Sequence, residues 1–292
     1  MYHKTAGYRI FSAINLLFLV VVSLSCILPL VHILAVSLSS SWAASGGLVR
    51  FWPVGFTTAA FEKTLNNPNF LHAIWVSVLR TVLGTVLTMT LITMAAYALS
   101  KEDRAFKGRT AYVWFFVFTM LFNAGIIPTY IVINKLGLLN QIWALVLPGA
   151  VSVFSLVLML NFFRGIPKEL EEAALMDGAG HFRTLFSMYL PLSLPSIATL
   201  TLFSIVGHWN AWFDALMYMT DYRNYPLATF LQSIVVNLDA TRLGITPEDL
   251  KSISDRTLKA SQVFIASLPI IALYPFLQKY FVHGLTLGSV KE

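Results

Sequence analysis

The sequence predicts an all-α membrane protein that crosses the bilayer six times. Hydrophobic residues make up 57% of the 292 residues and charged residues only 12%, whereas about a quarter of a soluble domain is charged. Six apolar stretches are long enough to cross a bilayer as helices, which takes about 20 residues. The basic residues cluster at the ends of these stretches, as they do in membrane proteins. We therefore expect a single transmembrane domain over residues 1–292.

Each predicted span is an apolar run bounded by polar residues. The spans lie near 11–37, 72–99, 111–133, 140–162, 195–219 and 261–282. The first run follows Lys4 and Arg9, but it exceeds the roughly 7–15 apolar residues of a signal-peptide core, so we expect it to be retained. Cys26 is the single cysteine, so no intramolecular disulfide can form. Arg80 lies in the second span, close enough to its outer end to snorkel.

The distribution of positive charge predicts the orientation. An even number of spans places both termini on the same side as the loops at 100–110 and 164–194. That side carries eleven of the 20 basic residues, whereas the short loops on the other side carry Arg50, Lys63 and Lys135. The longer loop at 220–260 adds five basic residues but also five acidic ones. The positive-inside rule therefore places both termini in the cytoplasm.

Residues 164–191 form the long polar interruption in the second half of the chain, and we predict two short helices hinged at glycine. Pro167 suits the start of a helix, and three glutamates follow it, where carboxylates favour the positive helix end. Gly178 and Gly180 then break the helix, and a second one is predicted from about His181 to Tyr189. One apolar face at helical spacing is predicted for this second helix, formed by Phe182, Leu185, Phe186 and Tyr189. Periodicity alone fits equally well an amphipathic loop on the lipid surface.

The order of residues in this hairpin resembles a known motif. Glu172-Ala173-Ala174 is followed by Gly178 and later by Met188-Tyr189-Leu190-Pro191. This pattern resembles the EAA loop of the membrane subunits of binding-protein-dependent ABC importers, which usually have isoleucine where Met188 stands. The resemblance implies the fold of a type I ABC importer permease, also called the MetI-like fold. It also implies that a separate ATPase subunit holds the hairpin in a surface cleft.

The resemblance further implies which residues couple the chain to the ATPase. Gly178 would supply the hinge, Glu171 and Glu172 could meet basic groups, and an apolar face that includes Leu170 would be covered by the ATPase. The full set implied is Glu171, Glu172, Ala173, Ala174, Asp177, Gly178, Phe182, Phe186, Leu190 and Pro191. The sequence contains no GxxxxGK[ST] motif. We therefore expect ATP and Mg²⁺ to bind the partner ATPase subunits, and no cofactor or metal to bind this chain.

Other motifs look like the carbohydrate-importer branch of this family, among them Phe122-Asn123-Ala124-Gly125 and Gly207-His208-Trp209-Asn210. The sequences of these motifs most resemble those of importers of oligosaccharides or polysaccharide fragments, including alginate. The resemblance implies a bacterial inner-membrane location, a second homologous permease in a heterodimer, two ATPase subunits and an extracytoplasmic solute-binding protein. The net charge of +6 belongs to membrane topology, so no nucleic acid is expected as a partner.

One alternative stays open, and two others are disfavoured. The chain could be a permease of the same family for a different small solute. A stand-alone secondary transporter would normally show an inverted repeat, and it would leave the EAA spacing unexplained. A membrane-embedded enzyme is disfavoured because the six histidines form no HExxH pair and no GxSxG motif occurs.

Polar and aromatic residues in two spans suggest a path for the substrate. Sugars offer hydroxyl groups for hydrogen bonds and apolar faces for aromatic stacking, and the candidate residues are Asn123, Tyr130, Trp209, Asn210, Trp212 and Asp214. Asn210 and Asp214 are four positions apart and would share a helix face. A carboxylate at this depth usually faces protein or water. Helix packing and an interfacial aromatic belt explain the same residues.

The outer loop at 220–260 is predicted to contain a helix. Thr246-Pro247-Glu248-Asp249 provides a cap, a proline at the first position and acids in the first turn, and the helix would run to about Leu258. The resemblance implies that a solute-binding protein docks on this face. A helix that merely covers the bundle is the alternative.

Overall fold

The computed structural model describes residues 6–236 and 255–287, with side chains at 7–234 and 256–275. Every regular element in these ranges is helical, which confirms the all-α prediction for the described part of the chain. The α-helices are α1 Ala6–Ser37, α2 Ser41–Ser45, α3 Ala59–Leu65, α4 Pro68–Ser100, α5 Arg109–Leu121, α6 Ile126–Lys135, α7 Trp143–Val146, α8 Val153–Arg164, α9 Lys168–Met176, α10 His181–Thr184, α11 Leu190–Leu192, α12 Leu194–Asn210, α13 Phe213–Tyr218, α14 Leu227–Val236 and α15 Asp255–Leu287. A π-helical turn spans Leu185–Tyr189 and a 3-10 turn spans Tyr222–Asn224.

The chain divides into two compact units, residues 1–71 with 231–268 and residues 72–230 with 269–292. In the first unit, a small core joins the end of α1 to α2 through Ala35, Val36, Ala43 and Ala44. Polar bonds link distant segments of the same unit, since the Thr64 and Ser261 hydroxyls lie 2.6 Å apart. Because this division reflects contacts alone, the single permease domain stays a prediction.

The second unit holds the largest core among the described residues. The C-terminal half of α4 contributes Ile92 and Ala96, and α8 contributes Met159 and Phe163, all of them buried. Leu185 and Tyr189 from the hairpin, and Leu200 from α12, complete the same core. The hairpin is therefore packed directly against two of the apolar helices rather than suspended between them.

Three helices are long and apolar enough to cross a membrane, namely Gly7–Ser37, Pro68–Ser100 and Arg256–Pro275. Two bent pairs pass the same test only together. Arg109–Leu121 and Ile126–Lys135 meet at 112°, and His181–Leu192 meets Leu194–Asn210 at 84°. The described residues thus contain three candidate spans, or five if each bent pair counts as one. The predicted first, second and sixth spans lie on continuous helices, whereas the other three are interrupted.

The third predicted span, 111–133, is broken between α5 and α6. Gly125 has φ 86° and ψ 177°, a backbone conformation that is open almost only to glycine. The side-chain oxygen of Asn123 accepts a hydrogen bond from the Gly125 N–H at 2.8 Å, which fixes the turn. The helix is therefore broken within this span, at the turn that Asn123 and Gly125 form.

The fourth and fifth predicted spans are also not continuous helices. Residues 140–162 form α7 and α8, and the 12 residues of α8 extend about 18 Å, less than the bilayer core of about 30 Å. Residues 195–219 form α12 and α13, because Ala211 is extended with φ −70° and ψ 125°. This second break removes the helical register on which the predicted common face of Asn210 and Asp214 depends.

The predicted outer loop is described only at its two ends. The first end contains the 3-10 turn and α14, and the second belongs to α15, which begins at Asp255. The predicted helix start at Thr246-Pro247-Glu248-Asp249 lies outside the described residues.

Candidate coupling hairpin and polar cavity

The first arm of the hairpin is α9, and a specific turn ends it. Gly178 has φ +79°, its N–H donates to the Leu175 carbonyl at 3.0 Å, and the Ala179 N–H donates to the Ala174 carbonyl at 2.9 Å. These two bonds make a Schellman motif, in which the residue after the helix cap is left-handed and is usually glycine. The glycine that the sequence predicts as a breaker therefore stands where the backbone requires it.

The second arm contains α10, the π-helical turn and α11, and its predicted apolar face is divided. Leu185 and Tyr189 are buried in the core with α4 and α8, whereas Phe182 is 68% exposed and Phe186 62% exposed. The π-helical turn from Leu185 to Tyr189 shifts the register, because its hydrogen bonds join residues five apart. One continuous apolar face is therefore wrong, since two of its members hold the hairpin and two face outward.

The residues predicted to contact the ATPase lie mostly on the exposed side of the hairpin. Exposed members of the predicted set are Glu172, Ala173, Asp177, Gly178, Phe182, Phe186 and Pro191, while Ala174 and Leu190 are partly buried. Three further apolar side chains on α9 are exposed, Leu170 at 44%, Leu175 at 43% and Met176 at 88%. An exposed apolar patch flanked by carboxylates can bury surface against a partner.

Glu171 is the exception, because it points into the protein. Its side chain accepts hydrogen bonds from Lys101 Nζ at 2.5 Å and from the Tyr189 hydroxyl at 2.6 Å. The Lys101 ammonium lies 3.7 Å from the ring centroid of Tyr97 and 4.5 Å from that of Tyr189. We call these four residues, Tyr97, Lys101, Glu171 and Tyr189, the anchor cluster. Glu171 thus pairs with a basic group of this chain, and its contact with a basic group on the ATPase stays a prediction.

The two charged groups of the anchor cluster have shifted pKa values. Burial acts to raise the pKa of Glu171, but hydrogen bonds from Lys101 and Tyr189 and the positive charges of Lys101 and His181 outweigh it, so the pKa lies below its ordinary value. Burial lowers the pKa of Lys101, and its hydrogen bond and charge attraction to Glu171 oppose that effect. The Lys101 side chain is 9% exposed and that of Glu171 is 18% exposed, and both line a pocket of about 490 Å³.

A second ion pair joins the same two segments on the surface. Lys168 at the start of α9 pairs with Glu102, which directly follows Lys101 in the chain. These side chains are 72% and 58% exposed, and surface pairs of this kind contribute little to stability. The hairpin and the end of α4 are thus linked by one shielded pair and one solvated pair.

A polar cavity of about 1030 Å³ lies elsewhere in the second unit. Residues at the α5–α6 break, including Asn123 and Gly125, line it together with Ser204 and His208 of α12 and Asp214 of α13. The cavity is large enough for several sugar rings, and its hydroxyl, amide and imidazole groups can exchange hydrogen bonds with sugar hydroxyls. Two of the predicted path residues, Asn123 and Asp214, are therefore in this cavity.

Arg80 and Asp214 form an ion pair on the wall of the cavity. Arg80 donates one hydrogen bond to Asp214 Oδ1 at 3.2 Å, makes a second contact with Oδ2, and donates to the Ala211 carbonyl at 3.0 Å. The break between α12 and α13 frees that carbonyl, so the guanidinium satisfies both a carboxylate and a helix end. Arg80 is 2% exposed. The prediction that Arg80 snorkels to the membrane surface is wrong.

The remaining predicted path residues lie outside the cavity lining. Trp209 is 8% exposed and lines a separate apolar pocket between α4, α12 and α15. Asn210 and Trp212 are exposed, and the Tyr130 ring stacks on the ring of Tyr218, a residue that does line the cavity, at 6.4 Å. Their part in a substrate path stays a prediction.

Sequence reasoning missed the two basic partners, Arg80 and Lys101, as site residues. A signal for Arg80 was available, since ionisable residues within membrane spans usually pair with one another and Asp214 was the available acid. Lys101 carried no such signal, because a lysine at the end of a span is normally explained by topology.

Comparison with known proteins places the chain in a family. Residues 106–287 match the model of the binding-protein-dependent transport system inner membrane component family. The chain is 39% identical to protein LplC of Bacillus subtilis (strain 168) over 289 residues, with 99% of this chain and 97% of the relative covered. It is 36% identical over 290 residues to the polygalacturonan/rhamnogalacturonan transport system permease protein YtcP of the same strain, with 97% of this chain and 99% of the relative covered.

A solved structure is similar over nearly the whole chain. It is the crystal structure of a bacterial ABC transporter involved in the import of the acidic polysaccharide alginate, and one of its chains matches with a TM-score of 0.87 and 32% identity. The match covers 96% of this chain and 100% of that chain. The resemblance inferred from the EAA spacing is therefore confirmed, and the chain belongs to the family of inner membrane components of binding-protein-dependent transport systems.

Proposed function

We propose that this chain is the transmembrane subunit of an ATP-driven importer of oligosaccharides or polysaccharide fragments, with alginate fragments as the first substrate to test. The observation that carries the substrate class is similarity over almost the full length to a polygalacturonan/rhamnogalacturonan permease and to a chain of an alginate importer. In this role the chain forms half of the translocation path, and ATP hydrolysis takes place in a separate ATPase subunit.

The exposed side of the hairpin supports a role in coupling. Phe182 and Phe186 present adjacent apolar surface to solvent, and the buried Leu185 and Tyr189 fix the arm that carries them. A helical hairpin whose apolar side is exposed while its other side is packed is suited to a cleft on a partner. We assign that cleft to an ATPase subunit that holds ATP and Mg²⁺.

The polar cavity supports a role in the path. The cavity is open because a backbone turn at Gly125 and short side chains such as those of Asn123 and Ser204 line it. Its charged groups are largely neutralised because Arg80 pairs with Asp214. Hydroxyl-rich substrates can cross such a surface through many exchangeable hydrogen bonds. The second half of the path would come from a homologous permease in a heterodimer.

The proposed assembly contains two ATPase subunits at the hairpins and a solute-binding protein at the outer loops. The chain would lie in a bacterial inner membrane with both termini in the cytoplasm, where the basic loops place the hairpin on the ATP side.

Two hairpin variants test this proposal in the reconstituted complex, with alginate oligosaccharides as the probe. Phe186→Asp places a charge on the exposed apolar patch, and Gly178→Pro removes the N–H that bonds to Leu175. Both variants should insert into the membrane normally, while uptake falls by at least about tenfold relative to ATP hydrolysis. Ala105→Asp, at an exposed position in the loop at 101–108 and outside the hairpin, is the control. Normal uptake in both hairpin variants would contradict the coupling role.

A further inference from the structure

We propose that the anchor cluster is the contact through which movement of the hairpin reaches α4, and that Lys101 is a positioning residue for energy coupling. This inference rests on the proposed function of the hairpin, and it names the contact that transmits the movement.

The first support is the position of the anchor cluster at the junction of three elements. Lys101 directly follows Ser100, the last residue of α4, while Glu171 lies in the middle of α9 and Tyr189 ends the π-helical turn. The ammonium of Lys101 donates to Glu171 at 2.5 Å and to the Tyr189 hydroxyl at 3.3 Å. One side chain at the end of α4 therefore contacts both arms of the hairpin.

The second support is that the network is closed and shielded from water. Tyr189 also donates to Glu171, so each of the three polar groups bonds to the other two. The rings of Tyr97 and Tyr189 meet edge to face at 4.9 Å and both lie against the ammonium. Separating α9 from α4 would part the Lys101 ammonium from the Glu171 carboxylate, which is strongly unfavourable, and separating the second arm would break the hydrogen bond from Lys101 to the Tyr189 hydroxyl. The hairpin and α4 should therefore move together as one body.

The third support is that the covalent connection from α4 to the hairpin is long and interrupted by turns. The second arm of the hairpin runs directly into α12 through residues 190–193, so movement of the hairpin reaches α12 along the chain. The loop from 101 to 108, α5, α6, α7 and α8 all separate α4 from the hairpin in sequence. Coupling to α4 must then pass through space, and the anchor cluster is the charged contact at that point.

The exposed pair of Glu102 and Lys168 provides a matched control. It joins the same helix end to the same arm, but water can replace either partner at little cost. Removing this pair should leave the link between hairpin and α4 intact.

A distance measurement in the assembled complex tests the inference without relying on a substrate. Cys26 is replaced by serine, and spin labels are placed at the exposed positions Glu169, on α9, and Val86, on α4. Distances are measured with and without a non-hydrolysable ATP analogue. The measurements are made in the cysteine-free parent chain and in its Lys101→Met, Glu171→Gln and Glu102→Gln variants. With Lys101 present, the distance distribution should stay narrow and unchanged between the nucleotide states. Lys101→Met and Glu171→Gln should broaden or shift it when nucleotide binds, and Glu102→Gln should not.

Functional assays on the same complexes separate this inference from the proposed function. Lys101→Met and Glu171→Gln should still assemble with the ATPase subunits, but uptake of alginate oligosaccharides per ATP should fall by about tenfold, and Lys101→Arg should recover part of it. An unchanged distance and normal uptake in both variants would overturn the anchor cluster as the link. If instead the hairpin of the unmodified chain contacts no ATPase subunit, the proposed function fails, whatever the variants do.

Discussion

Two ion pairs lie along α4, one at Arg80 in its N-terminal half and one at Lys101 directly after its last residue, and they differ in their surroundings. Arg80 pairs with Asp214 on the wall of the cavity, and Lys101 pairs with Glu171 at the hairpin. The 21 positions between Arg80 and Lys101 correspond to about 30 Å of helix, which is close to the thickness of a bilayer core. The two pairs thus hold the same helix at two points that far apart.

The difference lies in the groups that surround each pair. The Arg80 guanidinium also binds the Ala211 carbonyl, which is free because α12 ends at Asn210. The Lys101 ammonium instead has two aromatic rings and a tyrosine hydroxyl as further partners. The Arg80–Asp214 pair, called the outer pair below, therefore stabilises a broken helix beside a cavity, whereas the Lys101–Glu171 pair, called the inner pair below, joins the end of α4 to the hairpin. The first should matter for the stability of the fold and the second for coupling.

The largest effect is expected from removing the acidic partner of the outer pair, Asp214. Asp214→Asn would leave Arg80, which is 2% exposed, as a buried charge without a counter-ion, at a cost of about 3–5 kcal/mol in the free energy of unfolding. Thermal unfolding of the purified chain in detergent measures this loss. The double variant Arg80→Met with Asp214→Asn removes both charges and should recover much of the stability. Equal loss in the single and double variants would show that the charge is not the reason.

The two pairs also mark the limit of what could be predicted from the sequence. The hairpin, its glycine turn and the break at Gly125 follow from local rules, because helix caps and positive φ values depend on neighbouring residues. Arg80 and Asp214 are 134 positions apart and Lys101 and Glu171 are 70 apart, so no helical spacing relates them. The π-helical turn that divides the apolar face of the second arm depends on packing against α4 and α8, and periodicity therefore gives the wrong face there.

The next effect comes from the helix contact one turn from Arg80. A Cβ atom at Gly84 would lie 2.5 Å from two atoms of the His208 ring, and the adjacent Ser204 donates to Thr85 at 3.3 Å. Gly84→Ala must therefore push α12 away from α4 or displace the His208 ring, with a cost of about 1–3 kcal/mol for an overpacked contact.

Thermal unfolding and expression in the membrane measure the effect of Gly84→Ala. Gly149→Ala is the matched control, because a Cβ atom there meets nothing within 4 Å. Loss of stability in Gly84→Ala alone would show that the outer pair depends on close approach of the two helices. Equal behaviour of the two variants would contradict that dependence.

A smaller effect is expected at the turn that sets the direction of α9 relative to the second arm. Gly178 has φ +79° and no atom within 4 Å of a Cβ position, so a substitution there acts on the backbone alone. Gly178→Ala should cost about 1 kcal/mol because of the left-handed conformation, whereas Gly178→Asn should cost less, since asparagine tolerates this conformation. Hydrogen exchange over residues 168–176 measures the change. Faster exchange in the asparagine variant than in the alanine variant would contradict this order.

The smallest effect is expected from the response of the inner pair to pH. Because the pKa of Glu171 is lower in the folded protein than its ordinary value, the carboxylate stabilises the fold fully above about pH 4.3 and this contribution is lost as the pH falls through the folded pKa. Hydrogen exchange over residues 168–176, corrected for intrinsic rates, should therefore be constant from pH 8 to about pH 5 and rise in more acidic buffer. Glu171→Gln should remove the acidic rise, whereas His181→Gln should keep the rise but start it at a less acidic pH, because the His181 charge helps to lower the pKa of Glu171. A rise that persists in Glu171→Gln would show that another group causes the response. The charge of the inner pair would then not hold the hairpin.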